Sequence, residues 1–157
     1  LGNNFLATWA AWKGDPARCE RLHFVSLEKH PLRLADLQRA HRDSPLRALA
    51  EQLIAAWPPL TPNLHALEFD GGRVRLLLGW GDAATLAREV SALADAVFLD
   101  GFAPARNIAM WLPGLFKALA RLAAPGATAA TWSAARVVRD GLTQAGFAVQ
   151  ATAGGGA

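Results

Sequence analysis

Short apolar runs alternate with segments of helical periodicity along almost the whole sequence, and this alternation constrains the fold more than any other feature. Segments of 10 to 17 residues with helical spacing, such as LRLADLQRAHR and MWLPGLFKALARLAAPG, separate apolar runs such as LHFVSL and AVFLD. Strands that alternate with helices of this length form a largely parallel sheet with helices on both faces. The sequence therefore predicts an α/β fold.

The first helix is predicted from four large apolar residues near the start of the chain. Phe5, Leu6, Trp9 and Trp12 recur at the three-to-four spacing of one helical face. Gly2 stands just before them, where a chain turns into its first helical bond. We expect this face to pack on the sheet.

Glycine, proline and aspartate divide the remaining elements. Asp70, Gly71 and Gly72 predict a turn between two strands. Helices are predicted over TLAREVSALA and over MWLPGLFKALARLAAPG, where Pro125 and Gly126 end the helix. The segment FAVQATA predicts a last strand.

Composition bounds the organisation of the chain and its chemistry. A chain of 157 residues that is 52% apolar can bury one core, so residues 1–157 are expected to form one domain. The single cysteine, Cys19, excludes an internal disulfide and fits the reducing cytoplasm. Four histidines without ligand-like spacing give no indication of a metal site, and no apolar run is long enough to cross a bilayer. A net charge of +3 permits a phosphate-rich partner.

Three acidic residues follow predicted parallel strands, at the edge where open α/β sheets bind ligands. Glu28 follows LHFVSL, Asp82 follows LLLGWG, and Asp100 ends AVFLD. An acid in the position of Glu28 is suited to accept both ribose hydroxyls of a nucleoside cofactor, and Asp82 is placed to reach an adenine amino group. Each acid alone fits a helix N-cap equally well, but the set of three favours a cofactor site.

The segment LDGFAPARNIAMW is the most specific stretch of the sequence. It places a carboxylate, an aromatic ring, a proline and an amide in a tight loop directly after a buried strand. Together with four other segments, it resembles the methyltransferase domain of the MnmC family over nearly the whole chain. Those segments are NFLATWAAWK, RLHFVSLEKHPL, DGGRVRLLLGWGDA and GLFKALARLAAPGATAATWSAARVVRDGLTQAGF.

The resemblance implies a Rossmann-like class I methyltransferase fold and a defined reaction. The family uses S-adenosylmethionine to methylate the aminomethyl group on the wobble uridine of certain tRNAs, in the biosynthesis of 5-methylaminomethyl-2-thiouridine. The implied partners are tRNA and a fused or separate FAD-dependent oxidase domain. Neither a metal nor a membrane is implied.

The resemblance also implies roles for individual residues. Asp100 is the candidate catalytic residue, holding the amine nitrogen and accepting its proton. The implied cofactor site comprises Gly2, Asn4, Glu28, Lys29, Asp82, Ala83 and Asp100. The implied substrate site comprises Phe102, Ala103, Pro104, Asn107 and Trp111, although packing at a helix start explains Trp111 better.

The family pattern extends past both ends of this sequence. It runs from a first strand into G-x-G-T-G-x-N-F-L, of which only the end, from Gly2 to Leu6, is present. The sequence is therefore expected to be a fragment of a family member, or a divergent member with both ends lost, that lacks the first strand and the closing strand. The first strand of this fold lies between the strands that end at Glu28 and Asp100, so these two strands are expected either to pair directly or to remain unpaired with each other.

Two other classes of function remain open at this point. One is a methyltransferase of the same fold that acts on a small-molecule amine, because fold alone does not define the substrate. The other is a non-catalytic protein that binds RNA or a partner protein. Cofactor binding separates the second class from the enzymes, and transfer to undermethylated tRNA separates the two enzymes.

Overall fold

The computed structural model describes residues 2–100 and 111–150, which form six α-helices and five strands. The helices are α1 (Asn3–Gly14), α2 (Leu34–Ala40), α3 (Arg47–Ala55), α4 (Ala83–Glu89), α5 (Pro113–Leu122) and α6 (Arg136–Gln144). The strands are β1 (Leu22–Glu28), β2 (Asn63–Phe69), β3 (Val74–Trp80), β4 (Ala94–Leu99) and β5 (Ala123–Thr131). The elements divide into two compact units, Leu1–Asp82 and Ala83–Ala157.

The first unit contains a three-stranded sheet in the order β1-β3-β2. Strand β1 pairs with β3 in parallel, from Leu22 opposite Val74 to Glu28 opposite Trp80. Strands β2 and β3 form the predicted hairpin around Asp70–Gly72, which is a short 3-10 turn. Parallel pairing of β1 with β3 places their carboxyl ends at the same edge of the sheet.

Helices α1 and α3 cover one face of this sheet. The predicted apolar face of α1 is confirmed, because its four large residues are all buried. They form one core with residues of α3, β2 and β3, in which Trp9 and Leu53 are fully buried. The buried members of this core are Phe5, Leu6, Trp9, Trp12, Ala50, Leu53, Phe69, Val74, Leu76, Leu78 and Trp80.

The direction of α1 follows from the contacts of its second half. The indole N–H of Trp12 donates to the carbonyl of Cys19, shortly before β1 begins. Trp9 and Lys13 contact Asp70, shortly before β3 begins. Since the end of α1 lies at the amino ends of both parallel strands, its beginning points toward their carboxyl ends. Twelve residues of helix span about 18 Å, which is most of the roughly 23 Å that the seven residues of β1 span.

The second unit contains the parallel pair β4 and β5, with α5 and α6 packed against it. Leu99 of β4 is buried with Trp111, Phe116, Val138 and Leu142. This core covers the face of the pair on which Val97 and Leu99 lie. In parallel register, Phe98 pairs with Ala130 and Leu99 with Thr131.

The predicted bounds of α4 and α5 are wrong. Helix α4 ends at Glu89 instead of continuing through Ala94, because Ala94 already pairs with Ala123 in the sheet. Helix α5 begins only at Pro113, since Leu112 before the proline is extended, as residues preceding proline usually are. It ends at Leu122, ahead of Pro125 and Gly126, because β5 begins at Ala123 and includes both residues.

The structure also corrects the predicted last strand and decides between the two alternatives for β1 and β4. Residues 147–150 are not part of a strand, and the remaining residues of the predicted last strand, 151–153, lie outside the described part of the chain. Of the two alternatives left open for β1 and β4, the structure does not show direct pairing. Within the described residues, β1 pairs with β3 and β4 pairs with β5, in two separate sheets.

Asp70 fastens the hairpin turn to α1. Its carboxylate accepts the indole N–H of Trp9 at 2.9 Å and the ammonium of Lys13 at 2.9 and 3.0 Å. Burial of the carboxyl group raises its pKa, but the hydrogen bonds from Trp9 and Lys13, with the charges of Lys13 and Arg73, more than offset this effect. The pKa of Asp70 is therefore lowered from its ordinary value.

Replacing Asp70 with asparagine is expected to destabilise the first unit by about 1–2 kcal/mol at neutral pH, since hydrogen bonds to a charged partner are lost. Asparagine tolerates the positive φ of 50° found at this position. Because the pKa is lowered in the folded state, the stabilisation is present above the unfolded pKa of about 3.9 and disappears as the pH falls through the folded value. Urea unfolding of both proteins between pH 7 and pH 3 measures this. A difference that does not shrink with acid contradicts the account.

Candidate cofactor and active site

The carboxyl ends of β1 and β3 bring two of the predicted acids to one edge of the first sheet. Glu28 is the last residue of β1 and lies opposite Trp80, the last residue of β3. Beyond this pair, the backbone N–H of Gly81 donates to the carbonyl of Glu28 at 3.0 Å, so the two strand ends stay together. Asp82 follows directly. Glu28 is half-buried and Asp82 is exposed.

The beginning of α1 points toward the same edge and starts with a constrained glycine. Gly2 has a φ of 87°, and its carbonyl accepts the N–H of Leu6 at 2.8 Å. A Cβ atom at this position would lie 3.3 Å from both Nε2 of His41 and Cδ2 of Leu53. His41 and Leu53 are both buried, so they form a tight support beneath the turn. The positive φ therefore favours glycine, and a side chain at this position would contact His41 and Leu53 tightly.

This edge fits a nucleoside cofactor with a charged amino-acid portion. A carboxylate at the end of β1 can accept hydrogen bonds from vicinal hydroxyl groups, and a second one after β3 can accept them from an amino group. The N–H groups at the start of α1, near Asn4, favour a carboxylate ligand. The donors and acceptors present thus match the two ends of S-adenosylmethionine.

In the second unit, Asp100 is the first residue after β4 and is exposed. Its neighbour at the end of β5 is Trp132, since Leu99 and Thr131 form the last pair of the two strands. The sequence pattern did not single out Trp132, because a tryptophan inside the run ATAATWS is typical of a buried strand. Trp132 is instead 61% exposed. The sequence signal that could have identified Trp132 is an aromatic residue at the end of a predicted parallel strand.

The remaining predicted site residues fall into three groups. Lys29 is exposed next to Glu28, and Ala83 begins α4 of the second unit. Trp111 is buried, with its ring centre 6.4 Å from that of Phe116, so it contributes to the core of the second unit. The others lie outside the described residues: Phe102, Ala103, Pro104 and Asn107.

Residues 2–100 and 111–150 contain neither a candidate metal site nor a helix suited to cross a membrane. Within these ranges, no group of three or more histidine, cysteine, aspartate or glutamate side chains is arranged to hold a metal ion. None of the helices there has the length and apolar character that crossing a membrane requires.

The α/β architecture and the acids at the carboxyl edge of the first sheet are typical of one class of enzyme. Residues 44–157 match the family described as S-adenosyl-L-methionine-dependent methyltransferase, and the chain belongs to this family. The predicted family and cofactor class are thereby confirmed.

Two named bacterial proteins are similar to almost the whole of this chain. The chain is 67% identical over 156 residues to the tRNA 5-methylaminomethyl-2-thiouridine biosynthesis bifunctional protein MnmC of Methylibium petroleiphilum, covering 99% of this chain and 24% of that protein. The protein of the same name from Thiobacillus denitrificans is 56% identical, with 99% of this chain and 25% of the relative covered. This chain thus spans about a quarter of the length of these curated relatives.

A solved structure supports the fold. The crystal structure of MNMC2 from Aquifex aeolicus superposes with a TM-score of 0.72 at 25% identity, covering 94% of this chain and 44% of that chain. Together with the mixed helices and strands, this likeness confirms the predicted Rossmann-like α/β fold.

Proposed function

We propose that this chain transfers a methyl group from S-adenosylmethionine to the aminomethyl nitrogen of a modified wobble uridine in tRNA, in 5-methylaminomethyl-2-thiouridine biosynthesis. The observation that carries the proposal is the 67% identity, over 99% of the chain, to a relative named for this biosynthesis. Membership of the methyltransferase family supports the reaction type. Residues 1–157 act as one methyltransferase domain in this proposal.

The first unit supplies the cofactor contacts. The carboxylate of Glu28 accepts hydrogen bonds from the ribose hydroxyls, and that of Asp82 accepts one from the adenine amino group. Gly2 and Asn4 lie at the start of α1, where backbone N–H groups attract the carboxylate of the amino-acid portion. Lys29 and Ala83 flank the two acids. When bound, S-adenosylmethionine supplies a methyl group that leaves its sulfur as the amine nitrogen bonds to carbon.

Asp100 acts on the substrate amine. Its carboxylate accepts a hydrogen bond from the amine and directs the nitrogen lone pair toward the methyl carbon, which is worth most when the reacting atoms lie about 3–3.5 Å apart. The nitrogen becomes positively charged as the new bond forms, and the same carboxylate receives the proton that it releases. Phe102, Ala103, Pro104 and Asn107 complete the proposed substrate pocket.

Removing the carboxylate of Glu28 is expected to weaken cofactor binding by about 10-fold or more, the usual scale for lost hydrogen bonds to a charged group. Isothermal titration of S-adenosylmethionine into wild-type protein and Glu28→Ala measures this. Glu68→Ala is the matched control, because Glu68 is an exposed acid of the same sheet that pairs with Arg75 at 3.0 Å, away from the carboxyl edge. Equal affinity of Glu28→Ala and wild type would remove Glu28 from the cofactor site.

A methyl-transfer assay with the wild-type protein tests the proposal against its two alternatives. Labelled S-adenosylmethionine is offered with undermethylated tRNA or with a small primary amine. Label in tRNA supports the proposal, and label only in the amine indicates a small-molecule methyltransferase. Absence of cofactor binding indicates a non-catalytic protein. The cytoplasmic location and the FAD-dependent oxidase partner stay predictions.

A further inference from the structure

We propose that the indole of Trp132 stacks on the uracil ring of the substrate nucleotide and holds it beside Asp100. This inference rests on the proposed function and names the residue that binds the base. Asp100 and Trp132 are each the first residue beyond the pair Leu99 and Thr131, and neighbouring strands lie about 4.8 Å apart. The acid and the indole therefore leave the sheet side by side.

The strands that end just before these two residues have one covered face and one open face. Val97 and Leu99 lie on the face that packs against the core of the second unit. Phe98 and Ala130, which pair with each other, lie on the opposite face, and both are exposed. Asp100 and Trp132 follow directly after these strands, and both are exposed. The indole is thus available to a ligand that reaches Asp100.

The backbone on both sides of Trp132 is fixed. Thr131 is the last paired residue of β5, and its hydroxyl accepts the N–H of Ser133 at 3.1 Å. Ser133 is buried, and Ala135 packs against the core of the second unit. An indole on such a support offers a stacking surface at little entropic cost, as a site for an unstacked base requires.

Exposure alone does not mark a functional residue, because isolated exposed apolar side chains are common. Leu93 shows this in the same unit, since it is 73% exposed just before β4 begins, at the opposite end of the strand from Asp100. What distinguishes Trp132 is its aromatic ring and its position beside the proposed catalytic acid. Leu93 is therefore the matched control.

Fluorescence provides a test that does not depend on methyl transfer. Acrylamide is expected to quench Trp132 preferentially, because the other five tryptophans are buried or half-buried. Those five are Trp9, Trp12, Trp57, Trp80 and Trp111. The difference between wild type and Trp132→Phe isolates the signal of Trp132. An RNA anticodon stem-loop with aminomethyluridine at the wobble position is expected to protect this signal from acrylamide. Absence of protection at saturating RNA, or equal protection by S-adenosylmethionine alone, would overturn the inference.

Kinetics provide the second test. Trp132→Ala is expected to lower kcat/KM for tRNA by about 10-fold or more, the scale of one lost base–aromatic stack, while its affinity for S-adenosylmethionine stays unchanged. Trp132→Phe retains a ring and is expected to recover most of the loss, whereas Leu93→Ala behaves as wild type. An unchanged kcat/KM in Trp132→Ala overturns the inference and leaves the proposed function standing. If wild type transfers no methyl group, the proposed function fails, and quenching still decides whether Trp132 binds the base.

Discussion

Replacing Asp100 with alanine is expected to reduce methyl transfer to tRNA by about 10²-fold or more, with little change in the affinity for S-adenosylmethionine. Loss of a positioned acid–base group typically has an effect of this size. Asp100 is exposed at the carboxyl end of β4, where it can meet a substrate from solvent. Single-turnover transfer of labelled methyl measures the rate, and isothermal titration measures cofactor affinity.

Asp95 provides the matched control for this prediction. It is also an exposed aspartate of β4, but it lies near the amino end of the strand. Asp95→Ala is expected to transfer methyl groups at the wild-type rate. Equal rates for Asp100→Ala and Asp95→Ala would remove Asp100 from the mechanism, whatever their cofactor affinities.

The largest expected effect on stability follows the loss of Trp9. Its side chain is fully buried, with ring centres 4.8 Å from Phe69 and 5.4 Å from Phe5, and its N–H donates to Asp70. Trp9→Ala is expected to lower the free energy of unfolding by about 3–5 kcal/mol, because a large cavity opens in the core. Urea unfolding followed by circular dichroism measures the change.

The same substitution at Trp132 separates packing from function. Trp132→Ala removes an exposed indole, so we expect the free energy of unfolding to change by less than about 0.5 kcal/mol. We therefore expect Trp9 to contribute to stability and Trp132 to contribute to binding of the base. A loss of several kcal/mol in Trp132→Ala, or none in Trp9→Ala, contradicts this division.

The sequence was sufficient for features that depend on local periodicity. The spacing of Phe5, Leu6, Trp9 and Trp12 identified the buried face of α1, because each turn of a helix returns the same face to the sheet. The edge shared by Glu28 and Asp82 was also predictable, since parallel strands end on the same side of a sheet.

Features that depend on the pairing of strands remote in the sequence could not be predicted from local periodicity. Helix α4 ends early because Ala94 pairs with Ala123, and this partner is remote in the sequence. Trp132 was overlooked for a related reason. Whether a tryptophan at the end of an apolar run is buried depends on which face of the sheet the helices cover, and the sequence pattern of β5 does not contain that information.

The most direct test of the proposed reaction is nucleoside analysis of tRNA after incubation with the protein and S-adenosylmethionine. The tRNA is purified from cells that accumulate the aminomethyl form of the wobble uridine, digested, and examined by mass spectrometry. We expect the wobble nucleoside to gain one methyl group on the aminomethyl nitrogen, in wild type and in Asp95→Ala but not in Asp100→Ala. A methyl group at another nucleoside, or an unmodified wobble nucleoside from protein that binds S-adenosylmethionine, would contradict the account.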